Sequence, residues 1–128
     1  TSYPAYATSL GKALLSNKNK KELEKLYPKN FDKITENTLN NINELYQQIK
    51  QIKKEKIAIE IGEMNPQIEC MAIGIEHKNK IIAAISISYL IYCSNKAFRE
   101  KNKKILLEEK NKIEKVLKIY FNDLDTLY

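Results

Sequence analysis

Apolar residues recur along this chain with two different periods, and the change of period divides it into three parts. The first third is helical in pattern. Thr8 precedes Ser9-Leu10-Gly11-Lys12-Ala13-Leu14-Leu15, in which Leu10, Ala13 and Leu14 recur on one face, so a helix capped by Thr8 is predicted. Asn19 with Glu22 three residues later is a capping-box pattern. The short helix it opens carries Leu23 and Leu26 and ends before Pro28. A loop is expected from Pro28 to Asn37. Thr38 reads as the next N-cap, followed by Leu39, Ile42, Leu45, Ile49 and Ile52 at spacings of three and four. That is an amphipathic helix to about Lys54 with a polar back.

The middle switches to a period of two. Ile57-Ala58-Ile59-Glu60-Ile61 alternates strictly, as a strand with two different faces does. Glu69 to Ile75 and Ile81 to Tyr89 are two further strands, and His77-Lys78-Asn79-Lys80 between them is a turn that makes an antiparallel hairpin. From Asn95 to about Leu124 the spacing is helical again, with Ala97, Phe98, Ile105, Leu106, Ile113, Val116, Leu117, Tyr120, Phe121 and Leu124 on its stripe. Strands bunched between helices indicate an α+β fold with an antiparallel sheet and a long C-terminal helix.

Alternation sorts the strand residues into two lists. One face carries Ile57, Ile59, Ile61, Met71, Ile73, Ile75, Ile81, Ile85 and Ile87. This bulky apolar wall is expected to bury against helices, the long C-terminal one first. The other carries Ala58, Glu60, Cys70, Ala72, Gly74, Ala84, Ser86 and Ser88, with Ile82 the exception. Such small side chains leave volume unfilled. Either a helix approaches very closely, its neighbours satisfying the hydroxyls, or a cavity lies over this face.

Composition narrows the class. At 128 residues and 43% hydrophobic content the chain is one domain with one core, not two. The mainly apolar stretch Lys80 to Cys93 is interrupted by Ser86 and Ser88 and is too short to span a bilayer, so no membrane segment is expected. No signal-peptide pattern opens the sequence. It starts at Thr1 rather than Met, which suggests a piece of a longer protein. Cys70 and Cys93 are too few for a disulfide framework, so free thiols in the cytoplasm are expected. The net charge of +6 raises nucleic acid as a partner, but Arg99 is the only arginine, and groove readers favour Arg. Lysine clusters such as Lys50-Lys53-Lys54-Lys56 and Lys101-Lys103-Lys104 read as solvated helix faces.

Four segments, in order, resemble one family. Pro4 to Leu15 is similar to the segment that opens the effector-binding domain of IclR-type transcriptional regulators. The helix from Leu39 to Lys54 followed by Lys56-Ile57-Ala58-Ile59-Glu60 resembles their helix-then-strand segment, with Glu63 where the family has a Glu. Ile68-Glu69-Cys70-Met71-Ala72 resembles their cysteine-bearing strand, and Ile81 to Ser88 a later one. The resemblance implies a GAF-like (profilin-like) effector domain over residues 1–128. It implies further that the domain's first strands and an upstream winged helix-turn-helix are not in this chain, which leaves an open sheet edge that another copy could pair with. It further implies binding of a small organic acid, DNA contact only through the absent N-terminal module, and a homodimer or tetramer in the full-length protein. No cofactor, metal or catalytic activity is implied.

Carried over by position, the resemblance assigns seven effector contacts. Ser9 and Leu10 hold the ligand carboxylate by backbone amides, which agrees with the anion preference of a helix start. Glu60 is a pocket carboxylate where the family usually has Asp, and Ile68 is an apolar wall. Cys70, Ser86 and Ser88 are polar contacts on the strands. The chain departs from the family at Lys56, where a Gly precedes the strand, at Gln67 after Pro66, and at Tyr89-Leu90, where Gly-Pro often follows the serines. Glu60, one methylene longer than Asp, makes the pocket smaller.

Other assignments compete. A small enzyme acting on a carboxylate through Glu60 and Cys70 is the alternative, but a nucleophilic Cys needs a nearby base. The single His, His77, lies in the hairpin turn, roughly 20 Å along an extended strand from Cys70. Zinc needs three or four ligands, and Cys70 with His77 falls short unless Glu60 and Glu63 join. Two anions do not share a small pocket cheaply, so Glu60 is expected to take a ligand hydroxyl or keep its proton. Lys12 is expected to point to solvent beside the site, and Tyr6 reads equally as core or lining.

Overall fold

Three antiparallel strands form the middle layer of the computed structural model, which describes residues 3–121. The strands are β1 (Ile57–Ile61), β2 (Ile68–His77) and β3 (Lys80–Leu90), in the order β1-β2-β3. Helices α1 (Ser9–Leu14), α2 (Lys20–Leu26) and α3 (Ile42–Glu55) lie on one side of the sheet, and α4 (Lys96–Tyr120) lies on the other. The expected α+β architecture is therefore present. The predicted helix end near Leu124 lies outside the described residues.

The helix starts follow local chemistry. Thr8 caps α1 by accepting a hydrogen bond from the Gly11 amide, and Asn19 with Glu22 forms the reciprocal capping box of α2. Asn95 caps α4 by accepting from the Phe98 amide. Thr38 does not cap α3. Its hydroxyl accepts from the amides of Ile34 and Thr35 and donates to the carbonyl of Glu63 at 2.7 Å, tying a loop to the β1–β2 connection. Asn41 caps the helix instead, through the Glu44 amide.

The hairpin turn is tighter than expected. His77 pairs with Lys80, so Lys78 and Asn79 alone make the turn, both with positive φ, as a two-residue loop matched to strand twist requires. A register shift falls at Ile75/Glu76, where Glu76 opposes Ile81 and Ala83 opposes Ile75. This bulge moves Ile81 off the apolar wall. Its side chain comes within 3.2 Å of where a Cβ on Gly74 would stand, on the α1 side of the sheet. Ile82, the exception to the alternation, is the extra residue.

The apolar wall does bury under the long C-terminal helix. Ile57, Met71 and Ile73 pack with Leu106 of α4, and Ile85, Ile87 and Tyr89 flank them. Full burial of each such side chain stabilises the fold by about 1.5–3 kcal/mol. Ile59 and Ile61, also placed on that wall, remain 37% and 44% exposed on the edge strand. Two polar clusters pin α4 at either end. Near its start, Arg99 donates to both carboxylate oxygens of Glu69, at 3.0 and 2.6 Å, and Glu69 also accepts from Tyr89 and Ser94. Farther along, Lys110 donates to the carbonyl of Gly74 and pairs with Glu76 and Glu114.

On the opposite side α1 approaches the small face closely. Ala58 and Ala72 are buried in the helical core with Ala13, and Gly74 lies beneath the Ala13 carbonyl. Tyr6 is core, stacked on Phe31 at 4.2 Å between ring centres. The buried stripe of α1 is Ser9, Lys12 and Ala13, while Leu10 and Leu14 face outward. Small residues must meet the sheet here because Ala72 and Gly74 leave room only for near-backbone contact.

Candidate ligand-binding site

The small sheet face is divided between the two uses expected of it. Over Ala58, Ala72 and Gly74 it is filled by α1. Beyond the start of that helix it opens into a cavity of about 410 Å³. Tyr3, Thr8, Ser9, Leu10, Glu60, Met64, Asn65, Ile68, Cys70, Ser86 and Ser88 line it. All seven residues singled out from the sequence are thus brought together on one cavity.

Strand register builds the floor. Glu60 lies opposite Cys70, and Cys70 opposite Ser88, so one row across three strands presents a carboxylate, a thiol and a hydroxyl. Cys70 Sγ and Ser88 Oγ are 3.1 Å apart. Ser86 follows one row away, opposite Ala72. Ile68, at the start of β2, supplies an apolar wall. The rim is the start of α1. The Gly11 amide is taken by the Thr8 side chain, but the amides of Ser9 and Leu10 meet no partner among the described residues.

Electrostatics set the character of the floor. Burial holds the Glu60 carboxyl above the usual carboxylate range, although the Glu63 amide donates to it at 2.9 Å and favours the anion. Burial likewise pushes the Cys70 thiol up, against the Ser88 contact. Cys70 is consequently a neutral wall rather than a thiolate at physiological pH.

Behind the floor lies a buried ion pair, one member of which, Lys12, was expected to point to solvent. Lys12 is fully buried, and its ammonium donates to both oxygens of Glu63. Burial lowers the Lys12 pKa and raises that of Glu63, and their mutual attraction opposes both shifts. The stripe Ser9-Lys12-Ala13-Ser16, all buried, is the signal that would have turned Lys12 inward. Tyr3, Thr8, Met64 and Asn65 also line the cavity and were not expected there, although Thr8 was expected as the cap of α1. Met64 and Asn65 stand in the β1–β2 connection, whose path only the fold determines.

Among the described residues no helix is long and apolar enough to cross a membrane. A comparison with curated protein sequences returned no match. Solved structures do match. The IclR of Thermotoga maritima is 27% identical with a TM-score of 0.79, over 88% of this chain and 47% of that one. An IclR homolog from Microbacterium hydrocarbonoxydans, complexed with 4-hydroxybenzoate, is 20% identical with a TM-score of 0.81, over 91% of this chain and 47% of that one. A double mutant of the PobR inducer-binding domain from Acinetobacter, in complex with 3-hydroxybenzoic acid, is 18% identical with a TM-score of 0.76, over 88% and 66%. The chain spans about half the length of the first two. A family model, that of the C-terminal part of the bacterial transcriptional regulator IclR, matches residues 1–115. By that match the chain belongs to the IclR family of bacterial transcriptional regulators, and corresponds to their C-terminal part.

Proposed function

We propose that this chain is the ligand-sensing domain of a transcriptional regulator and that its effector is a small organic acid bound in the cavity over Glu60, Cys70 and Ser88. The observation that carries this reading is the pairing of that polar row with the unpartnered amides of Ser9 and Leu10 around one cavity. Its volume falls in the range of about 300–1,000 Å³ typical of small-molecule sites. The ligand carboxylate sits at the two amides, Ile68 packs against its apolar body, and a hydroxyl reaches Glu60, Ser86 or Ser88. Cys70 is a neutral contact. Two relatives of the same fold carry hydroxybenzoates, a chemistry with one carboxylate and one hydroxyl at opposite ends or nearly so.

Sensing requires no bond making. An effector with unequal affinity for two arrangements of the assembly shifts the population between them. In the longer protein an N-terminal winged helix-turn-helix domain, absent here, reads DNA, and the regulator works in the cytoplasm as a dimer or tetramer. The first strands of the effector domain precede Thr1 in that protein. The catalytic alternative through Glu60 and Cys70 is the weaker one, because burial disfavours the thiolate and His77 stands in the β2–β3 hairpin, away from the cavity.

Thermal shift in the presence of 4-hydroxybenzoate, 3-hydroxybenzoate and small aliphatic hydroxy acids tests the reading. A ligand at a hundred times its Kd stabilises by about 2.7 kcal/mol, a shift of several degrees for a chain of this size. Ser88→Ala and Glu60→Ala should shrink the shift. Unchanged shifts in both variants would remove the site, and conversion of a bound acid to product would favour the enzyme.

A further inference from the structure

Glu60 is the one charged side chain among the described residues that line the cavity, and it is 2% exposed. The fold satisfies half of it. Oε2 accepts from the Glu63 amide at 2.9 Å, while no group among the described residues donates to Oε1. Asn102 Nδ2 alone among described side-chain polar atoms is shut in without a partner, so Oε1 is open, and the space it opens to is the cavity. A buried carboxylate needs hydrogen-bond donors, and its charge needs a counter-charge or a proton. The neighbouring strand supplies neither. Across from Glu60 stands Cys70, whose thiol is set against Ser88.

The nearest cation is engaged elsewhere. Lys12, buried behind the floor, donates to both oxygens of Glu63. With that pair neutral, Glu60 leaves one negative charge on the floor, and no lysine, arginine or histidine is among the described residues lining the cavity. Two kinds of organic acid meet such a floor differently. A hydroxy acid adds its carboxylate to that of Glu60, so two anions share one cavity unless Glu60 takes up a proton. An amino acid adds an ammonium as well. It supplies the charge-assisted donor that Oε1 lacks, and every charge in the cavity then has a partner.

We propose that the effector is a zwitterion, an amino acid small enough for this cavity, whose ammonium donates to Oε1 of Glu60. This rests on the reading of the cavity as an organic-acid site and names the class of acid within it. The hydroxyls of Ser86 and Ser88 remain for further polar groups of the ligand.

Calorimetric titration of the 128-residue chain with matched pairs tests it. The pairs are 4-(aminomethyl)benzoate against 4-(hydroxymethyl)benzoate, and alanine, 3-aminopropanoate and 5-aminopentanoate each against the hydroxy acid of the same skeleton. An amino member should bind at least about tenfold more tightly than its hydroxy partner, as a hydrogen bond to a charged group allows. Glu60→Gln keeps an acceptor for the Glu63 amide but turns a donor toward the ligand, so it should cancel or reverse that preference. Hydroxy members that bind as well as the amino members overturn the proposal and leave the organic-acid reading standing. An amino preference that survives Glu60→Gln also overturns it. Binding by neither class overturns both. Melting curves check that Glu60→Gln folds. If it does not, titration of the parent in buffers of different ionisation enthalpy decides. With Lys12 and Glu63 paired to each other and Cys70 a neutral thiol, the amino member should bind without proton uptake, and uptake of a proton overturns the proposal.

Discussion

The ammonium of Lys12 lies 2.8 and 2.7 Å from the two carboxylate oxygens of Glu63, and both side chains are buried beneath the start of α1. The pair joins the first helix to the β1–β2 connection. Glu63 in turn passes its backbone amide to Glu60, on the cavity floor. One cross-link therefore holds the rim and the floor of the site in register.

Breaking that pair from one side should be costly. Lys12→Met leaves the Glu63 carboxylate buried without a counter-charge, and a loss of about 3–5 kcal/mol is expected. The double variant Lys12→Met, Glu63→Leu should recover most of it, because neither charge is then desolvated. Urea denaturation of the three variants measures both numbers. A Lys12→Met protein as stable as the parent contradicts the buried pairing.

Glu60 should make the fold less stable as pH rises. Its carboxyl is held above the usual range chiefly by burial. A group whose folded pKa exceeds its unfolded one contributes stability that is complete below the unfolded value and is lost as pH rises through the folded value. Glu60→Gln removes this loss while keeping an oxygen for the Glu63 amide. It should melt at the same or a higher temperature than the parent at pH 8, with the advantage vanishing toward pH 4. Melting curves across that range check the sign.

Glu69 should behave in the opposite way. Burial would raise its pKa, but hydrogen bonds from Arg99, Tyr89 and Ser94 outweigh burial and hold the carboxyl below the usual range. Its contribution is then present above the unfolded pKa and is lost as pH falls through the folded one. Glu69→Gln is expected to cost about 1.5–3 kcal/mol at pH 7, the range for hydrogen bonds to a charged group. The difference from the parent should shrink in acid. A pH-independent difference would indicate that the charge is irrelevant.

Lys56 occupies a left-handed backbone conformation, with φ 71°, at the end of α3. An L side chain is strained there, and a helix end of this kind favours glycine. Lys56→Gly should stabilise the chain by about 1 kcal/mol. The 3.5 Å pair with Glu76 that it removes is exposed and worth little. Chemical denaturation at high salt, where that pair is screened, isolates the backbone effect.

Much of this molecule was written in local pattern. The alternation of Ile57 to Ile61 yields β1 residue for residue, and the Asn19/Glu22 spacing yields the capping box of α2. The small-residue face was visible too, because strand periodicity assigns a side from parity alone. So were the seven residues now seen around one cavity, four of them by parity and family position together. Periodicity fails where a contact from elsewhere decides. Thr38 looked like a cap, but the Glu63 carbonyl claims its hydroxyl. Leu10 and Leu14 looked like the inner face of α1, but the sheet beneath admits only small side chains. Ile81 looked like wall, but the residue inserted at Ile82 puts it on the opposite face from Ile85 and Ile87.

What the sequence by itself determined was the set of elements and the two characters of the sheet, since spacing, capping and alternation are properties of neighbours along the chain. Only the tertiary structure decided that α1 covers part of the small face and stops short of the rest, and that Lys12 turns inward to Glu63. Both depend on residues some fifty positions apart meeting in a low-dielectric interior, where a buried charge tolerates no site without its partner.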